Sequence, residues 1–75
     1  MTMTGTIVKT EWHVEVLEPR EEPYKIGGNH ASLGEAMHYR DVELKLRIGN
    51  AHGFPRRTKF RIYRNDYVKT LESQI

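Results

Sequence analysis

Nine basic residues, Arg40, Lys45, Arg47, Arg56, Arg57, Lys59, Arg61, Arg64 and Lys69, crowd the second half of this chain and are its most chemically telling feature. Residues 38–75 set these nine against four Asp and Glu, a net +5, whereas residues 1–37 set three against six, a net −3. The formal total of +2 conceals this split. A positive field of this kind attracts phosphate, nucleic acid or an acidic protein surface. If Lys45 and Arg47 lie on one strand and Lys59, Arg61 and Tyr63 on the next, alternation gathers them on one outer face of a hairpin. Tyr63 beside the cations supplies the aromatic platform on which a base can stack. The bland alternative is a solvated sheet face whose charge Asp41 and Glu43 offset in part.

The stretch from Gly49 to Lys59 adds two glycines, the adjacent Arg56 and Arg57, and the Thr58 hydroxyl. Glycines let backbone amides approach an anion, and guanidinium groups grip phosphate in bidentate fashion. This is no Walker loop, because the Gly-Lys-Ser/Thr ending is missing. Its tip is the expected place of recognition, with Phe54 as anchor.

Other chemistries find little support. His13, His30, His38 and His52 show neither i, i+2 nor i, i+4 spacing, so no metal or other cofactor is expected. His38-Tyr39-Arg40-Asp41 has a superficial likeness to a kinase catalytic loop without the following Asn or the length of that fold. Without cysteine there is neither a disulfide, nor a thiolate zinc site, nor a thiol nucleophile. An acid–base pair of His13 with Glu11 or Glu15 is outweighed by the plainer view of all three as one strand's polar face. A small nuclease using His52, Arg56 and Lys59 ranks last, since no paired general base accompanies them.

The elements that must position these residues follow from periodicity. Between Ile7 and Leu17, Val8, Thr10, Trp12, Val14 and Val16 share one face of a strand, and Lys9, Glu11, His13 and Glu15 the other. Trp12 is assigned to the core. Pro19 and Pro23 bracket an acidic loop. Tyr24 to Ile26 make a short second strand, which Gly27-Gly28-Asn29 breaks. Ser32 and Glu35 have capping-box spacing ahead of Leu33, Ala36 and Met37, so two helical turns are expected. Val42, Leu44, Leu46 and Ile48 then alternate with Glu43, Lys45 and Arg47 as a strand, paired in a hairpin with residues 58–64. An alternative continues the helix from Ser32 through Leu46, because Glu43 to Leu46 are good helix formers; the strict alternation favours the strand. Asn65 or Asp66 caps a last helix carrying Val68, Leu71 and Ile75.

The expected fold is α+β, in the order β-β-α-β-β-α, with a small antiparallel sheet and helices packed on one face. Residues 1–75 form a single compact domain. Such a small core invites a homodimer. Apolar runs of only two residues exclude a membrane span, so a soluble cytoplasmic protein, bacterial or viral, is expected. The expected function is that of a small non-enzymatic binding module. Its basic hairpin face, Lys45, Arg47, Arg56, Arg57, Lys59, Arg61 and Arg64 with Phe54 and Tyr63, engages nucleic acid backbone. The rival is a compact protein-binding inhibitor or adaptor of phage or mobile-element type, docking on an acidic surface of a host nucleic-acid-handling or defence complex through Phe54, Tyr63 or Tyr67.

Overall fold

The computed structural model describes residues 5–69. Three antiparallel strands, β1 (Thr6–Leu17), β2 (Tyr24–His30) and β3 (Lys59–Lys69), form one sheet in the order β2-β1-β3. The α+β class therefore holds, but the β-β-α-β-β-α order does not. Between β2 and β3 lies one helical arm: α1 (Leu33–His38), a wider π turn (Tyr39–Leu44) and a closing 3-10 turn (Lys45–Arg47).

Alternation along β1 sorts its side chains as the sequence implies. Val14 and Val16 are fully buried under the helical arm, and Trp12 packs at the margin of the same core. Opposite them on β3, Phe60 pairs with Val16 and Ile62 with Val14. On β2, Tyr24 pairs with Val16 and Ile26 with Val14. Ala36, Leu44 and Phe54 close the core from above. The other side of the sheet carries Lys9, Glu11, His13 and Glu15 on β1, alongside Lys59, Arg61, Tyr63, Asn65 and Tyr67 on β3.

Gly27 and Gly28 do not end β2. Both have positive φ, and they bulge between the His13–Asn29 and Val14–Ile26 pairs, after which the strand resumes to His30. A Cβ on Gly27 would collide with the Tyr39 ring, so the bulge also admits the helical arm close to the sheet.

The cap at Ser32 is as expected. Its hydroxyl oxygen accepts from the Glu35 amide at 3.1 Å, and the Glu35 carboxylate accepts from the Ala31 amide at 3.0 Å.

Residues 42–48 are not a strand, and their hairpin with 58–64 does not exist. The helix continues instead, as in the alternative from Ser32 through Leu46. No Gly or Pro interrupts residues 35–48, so nothing stops a helix that Ser32 has started. The partner of residues 59–64 is β1, whose twelve residues offer the longer ladder; Thr58 lies outside the ladder. The last helix is overturned from Asn65 to Lys69, which are β3; its remainder, with Leu71 and Ile75, lies outside the described residues. No helix among the described residues is long and apolar enough to cross a membrane.

Candidate nucleic-acid interface

From Leu44 through Asn65 the chain holds no Asp or Glu; its part up to Arg61 lies at the end of the sheet where β1 turns through Glu18, Glu21 and Glu22 into β2, with Glu15 opposite Arg61. Lys45 and Arg47 sit on the 3-10 turn, Arg56 and Arg57 in the loop that follows, and Lys59 and Arg61 on the first residues of β3. Arg47, Arg56, Arg57, Lys59 and Arg61 are solvent-exposed and make no ion pair among the described residues.

The loop that presents Arg56 and Arg57 is tied at its base. Gly49 N–H donates to the Phe54 carbonyl at 2.7 Å, and Phe54 N–H to the Arg47 carbonyl at 2.8 Å. Phe54 itself is only 7% exposed and meets Phe60 edge-on at 5.4 Å between ring centres. It is a core residue, and not the solvent-facing contact expected of it; its ring holds the loop so that the arginines face out.

The remaining expected site residues divide. Tyr63 stays on the helix-free face near Arg61, with one side of its ring stacked on His13 at 5.4 Å. Arg64 points to the opposite face, across from Trp12, and pairs with Asp66 at 3.3 Å. It leaves the basic group, because successive residues of a strand face opposite ways. Lys45 and Arg47 belong to the group by position but reach it from a helical turn.

His13 is built into a chain of contacts. The Asn65 side-chain amide donates to Nδ1 at 2.6 Å, and Nε2–H donates to Glu15 at 2.7 Å. Both ring nitrogens of His13 are therefore held within the polar face of the sheet, between Asn65 and Glu15.

An open groove of about 750 Å³ runs between the helical arm and the start of β3, lined by Arg40, Lys45, Ile48, Thr58, Lys59 and Phe60. Asp41 bridges two of its cations, accepting from Arg40 Nε at 2.8 Å and standing 3.1 Å from Lys45 Nζ. Hydrogen bonds from Arg40 and then Lys45 pull the Asp41 carboxyl down to about 2. Arg40 was absent from the expected site, because the strand assignment of residues 42–48 separated it from Lys45. On a helical arm the two come within reach of one carboxylate.

A second hollow, of about 460 Å³, is lined by His30, Gly34, Glu35, His38, Tyr39 and Glu43. The pairwise spacing of histidines gave no hint of it, since His30 comes from β2 and His38 from α1. Among the described residues no three His, Asp or Glu are placed to hold a metal ion. No protein-family profile, curated protein or solved structure matches the chain.

Proposed function

We propose that this protein is a non-catalytic binding module whose group of exposed cations engages the phosphate backbone of nucleic acid with little sequence preference. The observation that carries it is the set of five exposed cations, Arg47, Arg56, Arg57, Lys59 and Arg61, without acidic partners among the described residues. Like charges gathered on a tied loop and a strand end repel one another, and a polyanion relieves that repulsion. Tyr63 offers its outer ring face to a base beside them.

Five phosphate contacts give a slope of log affinity against log salt of about −4, a loss of roughly two hundredfold between about 50 and 200 mM. Fluorescence anisotropy with labelled single- and double-stranded oligonucleotides measures this directly. Substituting Arg56, Arg57 and Arg61 together by Ala should flatten the slope by two to three units while leaving the melt nearly unchanged. Failure to bind any oligonucleotide at low salt would refute the proposal.

One feature favours the inhibitor or adaptor reading. Beyond Trp12, β1 and β3 continue as a two-stranded ribbon that β2 does not reach, with Ile7, Val8, Tyr67 and Val68 exposed. Open strand edges and apolar side chains suit docking by strand addition to another protein. Binding of that kind varies with salt mainly through its association rate.

A further inference from the structure

We infer that the nucleic acid bound is single-stranded and lies along the helix-free face of β3, with one base on Tyr63 and a second on Tyr67; this rests on the backbone-binding reading and names its substrate class. Alternation puts Lys59, Arg61, Tyr63, Asn65, Tyr67 and Lys69 in one row on that face. All but the half-buried Asn65 are exposed. The row has cations at both ends, two aromatic rings between them and no acid. Beside it, β1 contributes Glu15 opposite Arg61 and Glu11 opposite Asn65. Each carboxylate already has a partner on its own strand, His13 at 2.7 Å for Glu15 and Lys9 at 2.6 Å for Glu11. With Lys9 and Lys25 on the same face, five cations stand against these two acids, a net +3 with His13 neutral. The face as a whole therefore attracts a polyanion.

Each tyrosine has one side of its ring backed from β1. His13 stacks on Tyr63 at 5.4 Å between centres and 21° between planes, and Lys9 Nζ stands 6.0 Å over the centre of the Tyr67 ring. His13 is itself held by Asn65 and Glu15, so Tyr63 is an ordered platform. The other side of each ring has no aromatic or cationic partner among the described residues, and Tyr63 and Tyr67 are 39% and 45% exposed. Exposed rings flanked by cations suit single-strand binding, because every base has a face to stack and the cations take the phosphates.

The spacing of the rings argues against a duplex. Four residues of strand set the two tyrosines about 13 Å apart. Stacked bases rise only about 3.4 Å per step. One nucleic-acid strand can serve both rings only with its bases unstacked in between, and a paired duplex offers base edges rather than faces.

The test uses anisotropy at about 100 mM salt with three labelled probes: a short mixed-sequence single strand, the duplex of that sequence, and a strand of the same length made of abasic nucleotides. The single strand should bind more tightly than the duplex, and about a hundredfold more tightly than the abasic strand, about tenfold for each stacked base. Tyr67→Leu should cut the preference over the abasic strand about tenfold, and Tyr67→Phe, which keeps the ring, should restore it. The abasic comparison uses the unaltered protein, so it decides the matter even where Tyr67→Leu loosens the ribbon. A duplex or an abasic strand bound as tightly as the single strand would overturn the inference and leave the backbone reading standing. An undiminished preference in Tyr67→Leu would overturn the place given to Tyr67. If none of the three probes binds even at low salt, the backbone reading and this one fall together.

Discussion

Replacing Leu44 and Leu46 separately by Ala distinguishes the helical arm from a strand more sharply than any other pair of substitutions. In a strand of period two the two leucines share the core face and should matter equally. On the observed arm, Leu44 is 0% exposed and Leu46 is 74% exposed. Leu and Ala have similar helix propensity, so the difference lies in packing. Emptying a fully buried leucine costs about 2–5 kcal/mol, through lost transfer energy and the cavity left behind. Leu44, Val14 and Val16 are the largest fully buried side chains among the described residues, so little surrounding core is available to share the loss. About 3 kcal/mol is expected, against a total of roughly 4–11 kcal/mol for a domain of this size. The melting temperature should fall by roughly 12–24 °C. Leu46→Ala should stay within about 0.5 kcal/mol of wild type. Urea titrations followed by circular dichroism, with m-values checked for two-state behaviour, measure both. Equal losses for the two variants would refute the helical arm, and a silent Leu44→Ala would refute its packing against the sheet.

Ser32→Ala should cost about 1 kcal/mol by urea titration, because it leaves the Glu35 amide without its partner; an unchanged midpoint would remove the cap. Gly27→Ala should cost more than the roughly 1–2 kcal/mol of a left-handed residue alone, since the new methyl meets the Tyr39 ring as well. Gly28→Ala, also at positive φ but in open space, is the control that isolates the steric part. The Asp41 carboxyl is held at about 2, below its ordinary 3.8, so its contribution to stability is complete above about pH 4 and is lost as the pH falls through about 2. A carboxyl-detected NMR titration should place the wild-type midpoint near 2 and move it up in Arg40→Ala; a wild-type midpoint near 4 would contradict the bridge.

Legibility in the sequence followed the range of the interaction concerned. β1 was readable because its alternation is local and one side is buried, and the Ser32 cap because both partners lie within four residues. The strand expectation for the arm fails for a physical reason: Val42 to Ile48 satisfy a period of two, while Glu43 to Leu46 within them are good helix formers. Nothing local signals that β1 rather than this segment will pair with residues 59–69. The π turn compounds the difficulty. In a continuous α-helix, Leu44 would sit about 80° around the axis from Ala36, off the apolar stripe. The wider turn from Tyr39 to Leu44 corrects that phase, and both residues are fully buried. The basic group was legible as a charge pattern, since the acid-free stretch is continuous in sequence. Its membership was not: Arg64 leaves by strand alternation, Phe54 leaves by burial, and Arg40 enters through the arm.

The placement of that group explains how so small a core can serve a binding surface. Among the described residues, Val14, Val16, Ala36, Leu44 and Phe54 are the buried hydrophobic ones, and they lie at the same end of the sheet as Lys59 and Arg61. Phe54 is at once a core side chain and the fixed point of the loop carrying Arg56 and Arg57; Thr58 and Lys59 follow as the chain enters β3. Ordering a flexible arginine loop at the moment of binding would cost conformational entropy. Here folding itself orders the backbone beneath those side chains, so the entropy left to lose is mainly that of the side chains. The ribbon end has the opposite character: it pairs in only two strands, its apolar residues remain exposed, and a two-stranded element in water is marginal. The sheet thus joins a rigid charged end to a weakly supported apolar one. The proposed phosphate binding would use the first, where preorganisation favours it, and the alternative of strand addition the second, where unpaired edges remain to be satisfied.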